Sequence, residues 1–548
     1  MDFREAIIHE LQKRGAHDVH LDIPPPGMGD FAFPCFSLSR NFKKNPAEIA
    51  AHLAREIRLP FIERIEAKGP YLNFFIRKEA VVQRAVAQSV RPAKRNGRVL
   101  MVEYCAPNTN KPLHLGHLRN ICIGRAVSNL LKHQGYKVIQ ANLVNDRGIH
   151  ICQSMLAYQK WGKGRKPNQK PDHFVGEFYV MYQQKKDEAL EKEAYDLLQK
   201  YEQGDKKTIA LWKRMNRWAL DGFSQTFSEF GVRFDRTYYE SAYYRQAKER
   251  VLQYYKKGVF KMDAAGNIIV ELEKFQLPYR VLLRDDGTSV YITQDIELAF
   301  RKFSDYPLEK SIYVVASEQN LHFQQLFAVL GMMGMDREKL HHLSYGLVNL
   351  PEGRMKSREG KVVDADDIIA ELETLAGEEI RKRHQLPDKE LAERSKAIGL
   401  AAITFYMLRF DHLRDITYNP AESIAFEGET GPYIQYTHAR ICSILRKQGK
   451  RSKMPRKLAG VSPDEAGIAL LLLNFPGVVE KASQEYKPAL LCTYLLQLCQ
   501  AFNSYYVHFP ILKAEQPVRE TRLALARQVK ETVAAGLSLL GIAALEEM

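Results

Sequence analysis

VLMVEYCAPNTNKPLHLGHLRN, Val99 to Asn120, decides how the rest of the chain reads. VLMVEY is a continuous apolar run of buried-strand type, and a Pro/Asn-rich turn follows it. From about Leu115 apolar residues fall at helical spacing, including Ile123, Val127 and Leu130, until Gly135 stops the helix. KVIQANLV then reads as a second strand. Strand, helix and strand within about 45 residues make a βαβ unit, which predicts a parallel, doubly wound α/β sheet. His114, Gly116 and His117 fall where the helix begins, beside unpaired amide donors and the positive end of the helix dipole. Two imidazoles there would surround a polyphosphate with donors, and Gly116 would let a flat base approach the backbone. The plainer alternative is a pair of histidines capping a helix.

Outward from this unit the chain divides. Residues 2–14 and 46–57 show helical spacing, Tyr71–Ile76 alternates like a strand, and PPPGMGDFAFPCF between them reads as loop. A small α+β N-terminal domain over 1–95 is expected, ending in RPAKRNGR. A catalytic domain over 96–363 follows, interrupted at about 155–275 by helical, charged, Tyr-rich sequence. NIIVEL, TSVYIT and KSIYVVA carry strand signals, so the sheet is expected to resume there. A helical connector at 364–425 and an all-α bundle at 426–548 complete the expected multidomain chain.

Composition fits such a molecule. The 548 residues are 45% hydrophobic and 26% charged, enough apolar material for several cores. The net charge of +15 favours an anionic partner. RKQGKRSKMPRK, Arg446–Lys457, holds seven basic residues in twelve and no acid. The seven cysteines form no CxxC and no Cys/His spacing suited to zinc, so reduced thiols and no structural zinc or other metal site are expected. The N-terminus breaks its apolar positions with charge, and the run Ile468–Phe475 is too short to span a bilayer. The expectation is a cytoplasmic protein with no membrane partner.

A second segment carries chemistry. PEGRMKSREGKVV, Pro351–Val363, places Arg354, Lys356, Arg358 and Lys361 within eight residues, where they could follow phosphate charge as it moves. HLGH followed by a MKS-type loop resembles the HIGH and KMSKS signatures of class I aminoacyl-tRNA synthetases. VEYCAPNTNKPLHLGHLRN, VYITQDIELA, YVVASEQNLHFQQ, GRMKSREGKVV, EGETGPYIQYTHAR, LCQAFNSYY and LSLLGIAALEEM resemble the arginyl branch, so the likeness spans nearly the whole chain.

The resemblance implies a Rossmann-like core, ATP as co-substrate with Mg2+ bound to it, and L-arginine and tRNA(Arg) as partners. It implies an arginyl-adenylate intermediate whose formation requires bound tRNA, and a monomer. His114, Gly116, His117, Met355, Lys356, Ser357 and Arg358 would bind ATP. Ser357 stands where the second signature lysine is usual, and Lys111 stands where some family members carry a compensating lysine. His114, His117 and Lys111 are therefore the candidate catalytic residues. Glu103 and Asp295 would face the guanidinium, Tyr291 would bound the pocket, and Asn108 and Gln319 would hold the amino and carboxylate ends. A fork-shaped cation needs such carboxylates. Tyr433, Tyr436, Tyr505 and Tyr506 are candidates for stacking on tRNA bases. Where the family often has Asp-Trp-Gly, this chain has Asn145-Asp146-Arg147-Gly148, and Asp146 receives no role. A class I synthetase for another amino acid, an HxGH nucleotidyltransferase and a non-catalytic tRNA-binding paralogue remain the alternatives.

Overall fold

The computed structural model describes residues 3–548 except 18, 23, 26, 352–362, 450–457 and 459. They form two compact units: Met1–Ser89 with Ile444–Phe475 and Gln500–Thr532, and Val90–Ser443 with Pro476–Cys499 and Val533–Met548.

The N-terminal segment contains α1 (Phe3–Lys13), β1 (Phe31–Pro34), α2 (Ser39–Phe42), α3 (Pro46–Glu56), β2 (Ile62–Lys68), β3 (Tyr71–Ile76) and α4 (Lys78–Val86). The three strands pair antiparallel in the order β1-β3-β2. β1 corrects the loop reading of PPPGMGDFAFPCF: FAFP pairs Phe31 with Phe74 and buries Ala32 and Phe33. Asn45 caps α3 through the Ala47 amide, and Pro46 takes the first turn, where it has no bond to lose.

The second unit is built on β4 (Val99–Glu103), α5 (Leu115–His133), β5 (Lys137–Val144), α6 (Ile149–Ala157), α7 (Pro171–Lys185), α8 (Glu188–Glu202), α9 (Lys206–Glu229) and β6 (Arg236–Tyr239). Next come α10 (Tyr244–Lys256), β7 (Lys261–Met262), β8 (Ile268–Val270), β9 (Arg280–Leu283), α11 (Tyr291–Asp305), β10 (Lys310–Ala316), α12 (Asn320–Met332) and β11 (Leu340–Tyr345). β12 (Val348–Asn349), α13 (Ala365–Arg381), α14 (Asp388–Leu408), β13 (Ile416–Thr417) and α15 (Pro420–Ser423) follow. The central sheet is parallel throughout, in the order β11-β10-β4-β5-β6. The chain winds outward from β4 to β6 and then returns to the other side of β4, so the strand order reverses between β4 and β10. A crevice at the carboxyl ends of those strands is where such sheets bind ligands.

Three strand expectations need correction. TSVYIT is not a strand: its β-branched run closes with the start of α11 at Tyr291, where Thr293 Oγ1 accepts from the Val290 amide at 3.1 Å. NIIVEL supplies β8 of a separate antiparallel sheet, β7-β8-β9, so only KSIYVVA rejoins the core sheet. β6 lies inside the range expected to be inserted, yet it pairs with β5. Its four residues, RTYY, are too few and too polar to signal a core strand.

The last helices are α16 (Gly431–Gln448), α17 (Pro463–Gln484), α18 (Pro488–His508) and α19 (Val518–Leu540). The run Ile468–Phe475 belongs to α17, which by length and composition alone could cross a membrane. Its Glu465 is wholly buried, bonded by Tyr505 Oη at 2.8 Å and Arg522 Nε at 2.9 Å, which is the packing of a core helix.

Candidate active site

β4 ends at Glu103, and the backbone then turns through two non-glycine residues with left-handed dihedrals, Cys105 (φ 78°) and Ala106 (φ 51°). Such strain collects where a chain is held for function. Asn120 on α5 fixes the turn, accepting from the Cys105 amide at 2.5 Å and donating to Val314 O at 2.8 Å. The turn delivers the HLGH motif to the N-terminus of α5, with His114 at the cap. The His114 amide donates to His117 Nδ1 at 3.1 Å, which leaves the His117 proton on Nε2. The two rings lie 3.9 Å apart, and a Cβ on Gly116 would stand 3.1 Å from the His114 ring. Burial first, and Lys111 second, lower His114 to about 3. Burial, His114 and Lys111 together hold His117 well below its ordinary value. Both imidazoles are neutral donors near pH 7, and Lys111, itself lowered by burial, is the cation beside them.

Met355, Lys356, Ser357 and Arg358 lie outside the described residues, as do Arg354 and Lys361. The residues after them are placed. The Leu115 amide donates to Val363 O at 3.1 Å, and the Ala365 amide to Leu113 O at 3.0 Å. The backbone of Val363 and Ala365 is therefore bonded directly to the HLGH turn.

The proposed arginine residues collect at the same end of the sheet. Glu103 is 5% exposed and sits opposite Tyr313 of β10. Lys302 of α11, fully buried, places Nζ 2.7 Å from Glu103 Oε2 and 3.8 Å from the Tyr313 ring centroid. Burial alone would lower Lys302, but Glu103 and Tyr313 hold it above the ordinary lysine value. Asp295, two turns earlier on α11, accepts from His322 Nε2 at 2.7 Å. The helix puts Tyr291 and Asp295 one turn apart, as the spacing requires. Tyr291, 68% exposed, and Asn108 line one cavity of about 410 Å³. Gln319 is exposed at the start of α12.

Several neighbours escaped the sequence reading. Glu240, after β6, lines that cavity and is 7% exposed. Its nearest cation is Arg147 Nη1 at 3.6 Å, and burial raises its carboxyl to about 7. Asp146, given no role from sequence, ties this corner down: Ser241 donates to its carboxylate from the amide at 2.8 Å and from Oγ at 2.6 Å. Trp212 and Asn216 of α9 donate to the Asp146 carbonyl at 2.6 and 3.0 Å. Tyr243 is buried, and its hydroxyl has no hydrogen-bond partner among the described residues. Burial and the nearby Asp295, Glu240, Glu103 and Asp146 raise it well above the usual phenol value. Four carboxylates thus act electrostatically on one buried phenol. Lys302 pairs with Glu103, Arg147 is shared between Glu240 at 3.6 Å and Glu202 at 2.9 Å, His322 bonds Asp295, and Arg284 lines the same cavity as Glu240.

The candidate base-stacking residues differ in exposure. Tyr433 and Tyr436 are half-buried on α16, and Arg440 donates to Tyr436 Oη at 3.1 Å. Tyr505 is 2% exposed, stacked on Phe509 and bonded to Glu465, so its ring is a packing element. Tyr506 is 36% exposed. All seven cysteines are buried free thiols.

The reversed parallel sheet and the histidine-bearing helix start define a class I aminoacyl-tRNA synthetase catalytic core. Residues 80–419 match the family described as tRNA synthetases class I (R), catalytic domain, with Arginyl tRNA synthetase N terminal domain at 1–76 and DALR anticodon binding domain at 434–548. An arginine–tRNA ligase of Treponema denticola is 41% identical over 97% of this chain and 95% of its own. One from Parabacteroides distasonis is 39% identical over 95% and 94%. The solved arginyl-tRNA synthetase of Thermus thermophilus superposes with a TM-score of 0.84 at 31% identity, over 99% of each chain. The chain belongs to the arginyl-tRNA synthetase family.

Proposed function

We propose that this chain ligates L-arginine to tRNA(Arg) at the expense of ATP, through an arginyl-adenylate. The observation that carries the reading is the set of carboxylates, Glu103, Glu240 and Asp295, gathered near the buried Tyr243 at the carboxyl end of the sheet whose strand β4 leads into the histidine-bearing helix start. Asp295, Glu240 and the free side of Glu103 receive the guanidinium, Tyr291 bounds it, and Asn108 and Gln319 hold the α-amino and carboxylate groups. Removing a permanently charged fork from water is offset only where carboxylates match it, so lysine, citrulline and apolar amino acids leave buried charge unpaired.

The bound carboxylate attacks the α-phosphate in line, and pyrophosphate leaves. His117 donates from Nε2 and His114 from its ring, while Lys111 supplies charge close to the triphosphate, which arrives with its Mg2+. Met355, Lys356, Ser357 and Arg358 contribute from the signature loop. The terminal ribose hydroxyl of tRNA then attacks the adenylate carbonyl and releases AMP. No protein nucleophile takes part. The helical C-terminal region reads the anticodon, with Tyr506 and the half-buried Tyr433 and Tyr436 as base platforms. In this reading the enzyme works as a cytoplasmic monomer without structural zinc.

The test supplies the purified chain with ATP, magnesium, bulk tRNA and each labelled amino acid in turn. Charging with arginine alone is expected. Charging with another amino acid, or none at all, overturns the reading.

A further inference from the structure

The HLGH turn is braced from outside the sheet. Between Val363 and Ala365, whose backbones bond Leu115 and Leu113, lies Asp364, and Asp366 opens α13. Both carboxylates meet α7 of the inserted segment. His173 places Nε2 2.6 Å from Asp366 Oδ2 and Nδ1 3.5 Å from Asp364 Oδ2. Lys170 Nζ stands 2.6 Å from Asp366 Oδ2, 3.2 Å from Asp172 Oδ2 and 2.7 Å from Thr226 Oγ1 of α9. Thr226 in turn bonds Asp366 Oδ1 at 3.1 Å. Asp172, His173 and Asp366 are near enough together to hold a cation, but the Lys170 ammonium already stands among the carboxylates. The chain balances this charge itself.

One turn further along α7, Gly176 reaches the motif from its other side. A Cβ there would stand 2.7 Å from Pro112 Cδ and 3.7 Å from Lys111 Cα. Lys170 stands at the N-terminal cap of α7, and His173 and Gly176, three apart, share one face of the helix. That face touches both segments flanking His114: Lys111-Pro112 before it and Asp364–Asp366 bonded alongside it.

We propose that α7 is a positioning strut for the phosphate-binding turn, in which His173 and Lys170 hold the Asp364–Asp366 segment at the start of α13 while Gly176 seats Lys111 and Pro112. These residues touch no reacting atom. They set where Lys111, His114 and His117 stand, a placement to which in-line phosphoryl chemistry is steeply sensitive. The pull of Asp366 raises His173. The bonds from His173 and Lys170 bring Asp366 to about 2 against its burial.

The proposal rests on the synthetase reading above, and its test separates the two. Full-length wild-type, H173A, H173Q, G176A and D366N proteins are compared in arginine charging of tRNA, alongside their melting temperatures. If the strut acts, H173A, D366N and G176A each lower kcat by about tenfold or more with the arginine KM within about twofold. H173Q, which keeps a donor toward Asp366, recovers most of the rate. Wild-type kcat in folded H173A and G176A overturns the strut, as does a loss carried by arginine KM or one that merely follows melting temperature. Should H173A fail to fold, G176A against H173Q decides by the same criteria. A wild-type protein that charges no arginine fails the synthetase reading and the strut with it, whereas a charging wild type with unaffected variants fails the strut alone.

Discussion

The two halves of the site are built in opposite ways. The proposed phosphate side is one contiguous turn, Lys111 to His117, on a helix start, with imidazoles kept neutral by burial. The proposed arginine side is a set of carboxylates drawn from β4, the segment after β6, and α11, each separated from the next by more than fifty residues. A developing phosphate charge needs preorganised donors, which a helix terminus supplies locally; a permanent cation needs opposed anions, which only tertiary structure can bring together. Substitutions on the first side should act on kcat and those on the second on arginine KM.

The largest effect is expected where the carboxylate set is held charged. Lys302→Met strands the buried Glu103 carboxylate and should cost about 3–5 kcal/mol of stability in denaturant titration. A loss below about 1 kcal/mol would mean that Glu103 does not depend on that ammonium. On the phosphate side, His117→Ala should lower kcat by about a hundredfold or more with little change in arginine KM. A KM effect of equal size would blur the division. Asp295→Asn should do the converse, raising arginine KM by about tenfold to a hundredfold through loss of one charged bond.

The smallest effect is a pH dependence. Burial raises the Glu240 carboxyl to about 7, and a guanidinium bound beside it would favour its ionised form. Arginine binding therefore releases a proton below pH 7, and arginine KM should rise by up to about tenfold from pH 7 to pH 6. Glu240→Gln should flatten that slope, and an unchanged slope would remove Glu240 from the set.

The same contrast explains what the sequence disclosed. HLGH on a strand-to-helix turn is readable because its residues are adjacent and their period changes at His114. α1, α3, β3, β4, α5 and β5 appear where their periodicity places them. Glu240 was hidden because YYESAYY has no period and its neighbours come from α11 and the NDRG turn. Nothing in its local sequence marks Lys302 on amphipathic α11 for burial, yet it turns inward to pair with Glu103. β6 and TSVYIT misled for related reasons: pairing partners in one case and a helix cap in the other overrode local propensity.

The carboxylate set's preference for a charged fork is tested most directly by citrulline, which keeps arginine's shape and loses its charge. With citrulline titrated as a competitor of arginine in tRNA charging, the account predicts an inhibition constant at least about a hundredfold above the arginine KM. Citrulline competing as well as arginine binds would contradict it.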